Sequence, residues 1–234
     1  MKVAIMQPYF FPYIGYFQLL NEVDTFVIYD DIEYTKKGWI NRNRLQLNGK
    51  EFMFTLPLKK ASDYLPVNQR ELANSWVKDK NKLLNKISST YQNAPYFETV
   101  WPLVVNIFNC THINLFDFIF NSITELTKWF NIQTNLVVSS SLKYNSELKA
   151  HDKVINLCQA LNTIEYINPI GGLELYNKQD FINNDLKLTF INPILKSYSQ
   201  SATPFLSHLS ILDVIMYNSH EEVKRIINED FELL

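Results

Sequence analysis

The chain predicts an α/β fold, a mainly parallel, doubly wound sheet with a β-hairpin and a helical insertion. Three observations carry that prediction. Val3-Ala4-Ile5-Met6 and Thr25-Phe26-Val27-Ile28-Tyr29 are short apolar runs separated by one helical stretch, the spacing of a βαβ unit. Such a unit implies parallel pairing and a right-handed crossover. Asn48-Gly49, between two alternating segments, is a strong hairpin signal. Between Gly49 and Gly171 there is no glycine, and much of that stretch has helical periodicity. Residues 1–234 read as one α/β domain, with the helical insertion over about 70–131.

Taken in order, the first apolar run ends at Gln7-Pro8, because proline cannot donate to a sheet ladder. An aromatic loop follows, Tyr9-Phe10-Phe11-Pro12-Tyr13, and Gly15 opens a helix to about Val23. The second run ends on Asp30-Asp31. Segments 41–47 and 51–56 form the hairpin, placed to extend an edge of the main sheet. Helices are predicted over 75–91, with Trp76, Leu83, Leu84 and Ile87 on one face, over 98–108, and over 114–130. A strand over 134–138 runs into Ser139-Ser140-Ser141, which can hydrogen-bond a phosphate but more often caps a helix or forms a turn. A helix over 149–161 leads to a strand over 164–167 and then to Asn168-Pro169-Ile170-Gly171-Gly172. A short helix ends at Phe181, and 186–191 is the last predicted strand, making about five. Residues 205–217 read as a helix. Ser219 with Glu222 is a capping box for the helix that follows.

Composition narrows the function. The net charge of −2 argues against general DNA or RNA binding, which wants a basic face. Cys110 and Cys158 lack metal-ligand spacing, and two cysteines in this length suit a reducing, cytoplasmic setting. The sequence has neither a signal-peptide pattern nor an apolar run of about 18 residues. The four histidines, at 112, 151, 208 and 220, are scattered, so no metal site is assigned. His208, Ser210 and Asp213 do not make a hydrolase triad, since residues two apart on a helix diverge and no GxSxG elbow is present. Aromatic content is 14%, and the bland account is an aromatic-rich core; the sharper one is that some tyrosines and Trp39 line a sugar or base site.

In parallel sheets ligands sit outside the carboxyl ends of the strands. Gln7, Tyr9, Gly15, Asp30 and Asp31 fall at that edge, and Lys36, Trp39, Asn41 and Arg42 follow closely. Lys59 leaves the hairpin toward the same edge, although lysines at strand ends are commonly just solvated. The two glycines after the 164–167 strand let backbone approach a ligand, or simply turn. An aromatic loop at a helix start with cations nearby suits an anionic, partly aromatic ligand. Asp30 and Asp31 could hold Mg²⁺ beside a phosphate or could merely end the strand.

Residues 7–17, QPYFFPYIGYF, and 30–44, DDIEYTKKGWINRNR, resemble the WbqC-like family of bacterial surface-polysaccharide clusters. The resemblance continues at Ala94-Pro95-Tyr96-Phe97, Asn168 to Gly172, and Ser210-Ile211-Leu212-Asp213. One local departure stands after Trp76, where the family tends to a Lys-His pair and this chain has Asp79-Lys80. The resemblance implies transfer of an amino acid, glycine, to the amino group of a nucleotide-linked amino sugar in O-antigen biosynthesis. More distantly, the first unit resembles the Rossmann-like nucleotidyltransferase fold of adenylate-forming ligases. The glycine of their HxGH loop remains as Gly15, but both histidines are missing, which counts against ATP activation.

On that reading Asp30 is the candidate base, with Gln7 and Asn41 orienting the reactants. Arg42, Lys36 and Lys59 meet a pyrophosphate, and Tyr9, Tyr16 and Trp39 stack on base or sugar. Asp31, Gly15, Asn168, Gly171, Gly172 and Tyr176 complete the substrate site. The donor stays open between free amino acid with ATP and Mg²⁺, a carrier thioester, and aminoacyl-tRNA. The alternatives are a non-catalytic nucleotide-sugar-binding or assembly module and an ATP-dependent amide ligase.

Overall fold

The computed structural model describes residues 1–234 apart from Lys149 and Ala202. Its main sheet has six strands: β1 (Lys2–Met6), β2 (Thr25–Ile28), β5 (Asn135–Val138), β6 (Glu165–Pro169), β7 (Lys187–Pro193) and β8 (Phe231–Leu233). Their spatial order is β5-β2-β1-β6-β7-β8. All neighbours are parallel except β7 and β8. The chain crosses from β1 through α1 (Ile14–Glu22) to β2 and on to β5, then returns past β1 to β6 through α5 (Ala150–Ala160). The strand order therefore reverses at β1.

Both faces of the sheet are buried, which is why its strands read as unbroken apolar runs. Ala4, Phe26, Ile28, Ile167 and Ile191 face a large core that includes α1 side chains and those of α2 (Trp76–Tyr91), α3 (Phe97–Phe108) and α4 (Leu115–Phe130). The predicted helical insertion thus shares its core with the first βαβ unit. The alternate residues Val3, Ile5, Val27 and Tyr166 face a smaller core under α5 and the short α6 (Lys178–Ile182). α7 (Ile211–Tyr217) and α8 (His220–Glu229) complete the large-core side.

Three expectations are corrected. The hairpin, β3 (Arg42–Leu47) with β4 (Lys50–Thr55), forms its own two-stranded sheet, because β5 takes the position beside β2. Its turn is as expected, with Asn48 and Gly49 both at positive φ, 51° and 74°, the requirement of a type I′ connection. The helix predicted over 205–217 begins only at Ile211. Ser210 is its N-cap, accepting from the Leu212 N–H at 3.3 Å and donating to the Phe11 carbonyl at 2.9 Å. The sixth strand, β8, has three residues, too few to show an alternation. Ser219 caps α8 through the Glu222 N–H at 3.1 Å, while the Glu222 carboxylate turns to Arg225, so half of the capping box is realised.

Candidate functional site at the strand carboxyl edge

The aromatic loop after β1 is largely an anchor. Phe10 and Phe11 are fully buried and pack on Phe108, with Phe10 also on Phe118. Asn43, buried in β3, holds the loop by donating to the carbonyls of Phe10 and Phe11. Tyr16 is in the core as well, its hydroxyl donating to the Gln7 carbonyl at 3.3 Å, so it has no ligand face. Tyr9 lies edge-on to Tyr16 and 6.2 Å from the Trp39 ring. Burial raises the Tyr9 phenol above its usual range, leaving a neutral hydroxyl that donates to Asn43 at 3.3 Å.

Gly15 is required by packing. A Cβ there would fall 2.5 Å from Tyr13 and 2.7 Å from Pro193. Gly15→Ala is expected to destabilise by about 1–3 kcal/mol, the usual cost of overpacking. A denaturant midpoint equal to that of the wild type would show that Tyr13 swings away freely.

The adjacent carboxylates after β2 have different surroundings. Asp30 is buried, and its carboxylate accepts from the Ser139 hydroxyl at 2.8 Å, the Ser140 N–H at 2.9 Å, the Ser140 hydroxyl at 2.7 Å and the Asn68 amide at 2.8 Å. Burial on its own raises the acid's pKa, but these donors outweigh it and leave Asp30 below the usual carboxylate value. An acid held down by four donors is a weak base. Asp31 is only half-buried. It accepts from the Tyr144 hydroxyl and lies 2.6 Å from the Ser139 Oγ. That serine has one proton for two carboxylates, and it accepts in turn from the Asp30 N–H at 3.2 Å. The serine run after β5 is therefore a turn that fastens this carboxylate pair.

A cleft of about 730 Å³ opens beside Asp31, outside the carboxyl ends of β2, β5 and β6. Such a crevice next to a reversal of strand order is the usual ligand position in open α/β sheets. Tyr29, Asp31, Glu33, Tyr64 and Tyr176 line it, with His151 and Lys153 from the first turn of α5. The Lys153 ammonium sits 4.9 Å from the centre of the Tyr29 ring and 5.5 Å from that of Tyr144. His151 Nε2 is 3.1 Å from the Asp152 carboxylate.

Asn168, Gly171 and Gly172 form a turn that presents the next segment to the cleft. The Asn168 side chain accepts from the Tyr166 hydroxyl at 3.0 Å and donates to the Pro169 carbonyl at 3.2 Å. A Cβ on Gly172 would lie 1.9 Å from that side chain, whereas Gly171 has open space around it. Leu175 and Tyr176 follow and reach the cleft wall.

The remaining expected residues lie apart from the cleft. Asn41 is buried and satisfied, accepting from the Tyr34 hydroxyl and donating to the Leu56 carbonyl, both at 2.8 Å. Trp39 is flanked by two guanidinium groups, Arg42 at 5.4 Å and Arg44 at 5.0 Å. Lys36 pairs with Asp63 at 2.8 Å and Lys59 with Glu71 at 2.5 Å, all on the surface. Gln7 is half-buried and is not part of the cleft wall. Asp213, of the 210–213 motif, is buried and accepts from Tyr91 at 2.9 Å, Tyr198 at 2.7 Å and Gln200 at 2.7 Å. Burial outweighs these bonds and raises its pKa. It ties α7 to α2 and to the segment after β7.

Among the cleft residues, sequence reasoning passed over Tyr29, Glu33, Tyr64, His151 and Lys153, and it also passed over Tyr144, which bonds Asp31. Tyr29 ends the second apolar run, so its position at a carboxyl end was a readable signal. Tyr64 and Lys153 carry no motif and reach the cleft only through the fold. Among the described residues, no group of three or more His, Cys, Asp or Glu is placed to hold a metal ion, and no helix is long and apolar enough to cross a membrane.

Comparison with known proteins agrees with the motifs. An uncharacterized protein of Mycobacterium tuberculosis is 27% identical over 218 residues, covering 92% of each chain. The sequence model of the WbqC-like protein family matches residues 7–225, which takes in the aromatic loop, the carboxylate pair, the cleft and the 210–213 motif. On that match, together with the sheet and motifs described above, the chain belongs to the WbqC-like protein family.

Proposed function

We propose that the chain transfers an aminoacyl group, glycyl by the family resemblance, to the amino group of a nucleotide-linked amino sugar held in the cleft. The observation that carries this reading is that Asp31 and the α5 side chains His151 and Lys153 line one crevice. Asp31 is oriented by the Ser139 and Tyr144 hydroxyls, and His151 and Lys153 stand in the same wall system. Attack of the neutral sugar amine forms a C–N bond and puts negative charge on the carbonyl oxygen; the amine's proton passes to a base, and collapse of the tetrahedral intermediate breaks the bond from the acyl carbon to its donor, so that the phosphate of an adenylate, a thiolate or a tRNA hydroxyl leaves. Asp31 accepts the proton, a role for which it is better placed than Asp30. His151, Lys153 and the first turn of α5, with its positive dipole end, stabilise the oxyanion. The faces of Tyr29, Tyr64 and Tyr176 suit the apolar side of a deoxysugar or a base.

The test is a mass-spectrometric incubation with a thymidine- or uridine-diphosphate 4-amino-4,6-dideoxy sugar. Arms contain glycine with ATP and Mg²⁺, a glycyl thioester, or tRNA with its charging enzyme. A product heavier by one glycyl residue in any arm establishes the transfer and identifies the donor. Tight binding of the intact nucleotide sugar without product in all arms assigns the chain to the non-catalytic binding role instead.

A further inference from the structure

Two of the sequence motifs take no part in the cleft walls: the end of the aromatic loop, Tyr13-Ile14-Gly15, and the 210–213 stretch. Both serve a second cavity. It is partly enclosed, measures about 140 Å³ and shares no lining residue with the cleft. Tyr13 and Ile14 line it at the start of α1, Val214 from α7, Ile226 from α8, and Tyr198 and Phe205 from the segment after β7. A Cβ on Gly15 would fall 2.5 Å from the Tyr13 side chain, so only glycine lets that ring lie against the helix start. Asp213 fixes the segment after β7 by accepting from Tyr198 and Gln200, both at 2.7 Å. Gln200 in turn is bonded to the Leu206 N–H at 2.9 Å and the Leu206 carbonyl at 3.0 Å. His208, also in the lining, stands at a positive φ of 57°, with its ring 6.0 Å from that of Tyr13. Backbone in that region carries a cost that functional sites commonly bear.

The charges of the lining cancel. Lys196 pairs with Asp230 at 2.6 Å, and all three Arg225 nitrogens go to Glu222 and Asp230, at 2.7 to 3.0 Å. A charged ligand would find no free counter-ion, and a charge buried unpaired is costly. The unused groups are neutral. Among the described residues the Tyr13 hydroxyl makes no hydrogen bond, and Asn218, whose amide donates to the Val214 carbonyl at 2.8 Å, leaves its oxygen open. One can donate and the other accept. Size narrows the choice further. A cavity of roughly 150 Å³ takes up benzene, so this one holds a single six-membered ring. The rings of Tyr13, Tyr198, Phe205 and His208 suit the face of such a ring.

We infer that this cavity binds one uncharged six-membered ring with a hydrogen-bonding edge, either a pyrimidine base or the ring of a deoxyhexose. Tyr13 donates to an acceptor on that edge, and Asn218 accepts from a donor. The site is separate from the cleft and does not depend on the transferase reading.

Methyl-labelled NMR with thymine and methyl fucoside as separate probes tests this. Ile14 and Ile226 line the cavity and Ile32 lines the cleft, so the methyl that shifts reports which of the two is occupied. At least one probe is expected to bind with a Kd of about 1 mM or tighter, shifting Ile14 and Ile226 but not Ile32. The tighter of the two identifies the source of the ring. Ile226→Phe, which fills the cavity, should weaken binding about tenfold or more. Tyr13→Phe, which removes only the hydroxyl, should weaken it about three- to tenfold, and it keeps the test open where Ile226→Phe folds poorly. Benzoate and benzylammonium, six-membered rings that carry a charge, should bind more weakly than the better neutral probe. Three results overturn the assignment: no shift of Ile14 or Ile226 with either neutral probe, an affinity unchanged by Tyr13→Phe, or a charged ring bound as tightly as the better neutral one.

Discussion

Alanine at Asp30 is expected to cost roughly 3–5 kcal/mol of folding stability. Hydrogen bonds to a charged acceptor contribute about 1.5–3 kcal/mol each, and bonds sharing one carboxylate are not additive. Removing the acceptor strands the Ser140 N–H and hydroxyl, the Asn68 amide and the bond that seats Ser139. Those donors join the end of β2 to the turn after β5 and to the 67–69 turn, so the loss loosens the segment that carries Asp31. The urea midpoint should fall at an unchanged slope. The effect should also depend on pH. The folded-state pKa of Asp30 is depressed, so its contribution is present above the ordinary carboxylate pKa and is lost as pH falls through the folded value. Wild type and variant should therefore converge in acid. A midpoint like that of the wild type at neutral pH would mean that other acceptors serve these donors.

Asparagine at the neighbouring Asp31 is expected to leave stability nearly intact and to lower kcat/KM for glycyl transfer about 10²–10⁴-fold, the usual worth of a positioned base. The side chain is half-buried, and the amide keeps one oxygen to accept from Ser139 or Tyr144. Two carboxylates in sequence thus stand in different environments, Asp30 saturated with donors and Asp31 open to the cleft. Wild-type turnover by the folded variant would remove Asp31 from the reaction and leave Glu33 as the cleft carboxylate to examine.

Much of this architecture is legible in the residues. The apolar runs at 3–6 and 25–29, with one helix between them, require a parallel pair, and Asn48-Gly49 requires the hairpin turn. The carboxyl edge follows from strand direction, and Asp31 and Tyr176, both expected there, line the cleft at that edge. The aromatic loop was harder. Tyr16 was expected to stack on base or sugar but, like Phe10 and Phe11 of the same loop region, is buried in the core, and nothing local distinguishes a buried ring from an exposed one. Charge was harder still. Lys36 and Lys59 resemble pyrophosphate partners until Asp63 and Glu71 are seen to pair with them.

By itself, then, the sequence determined the family, the parallel sheet and which edge carries the strands' carboxyl ends, because strand and turn preferences are local and strand direction follows from connection length. Only the tertiary structure decided which acid is saturated and which is open, which cations are paired, and that His151 and Lys153 line the same cleft as Asp31. Those properties depend on partners distant in the chain, such as Ser139 and Ser140 for Asp30, and hydrogen bonding and burial are set by distance in space rather than along the chain.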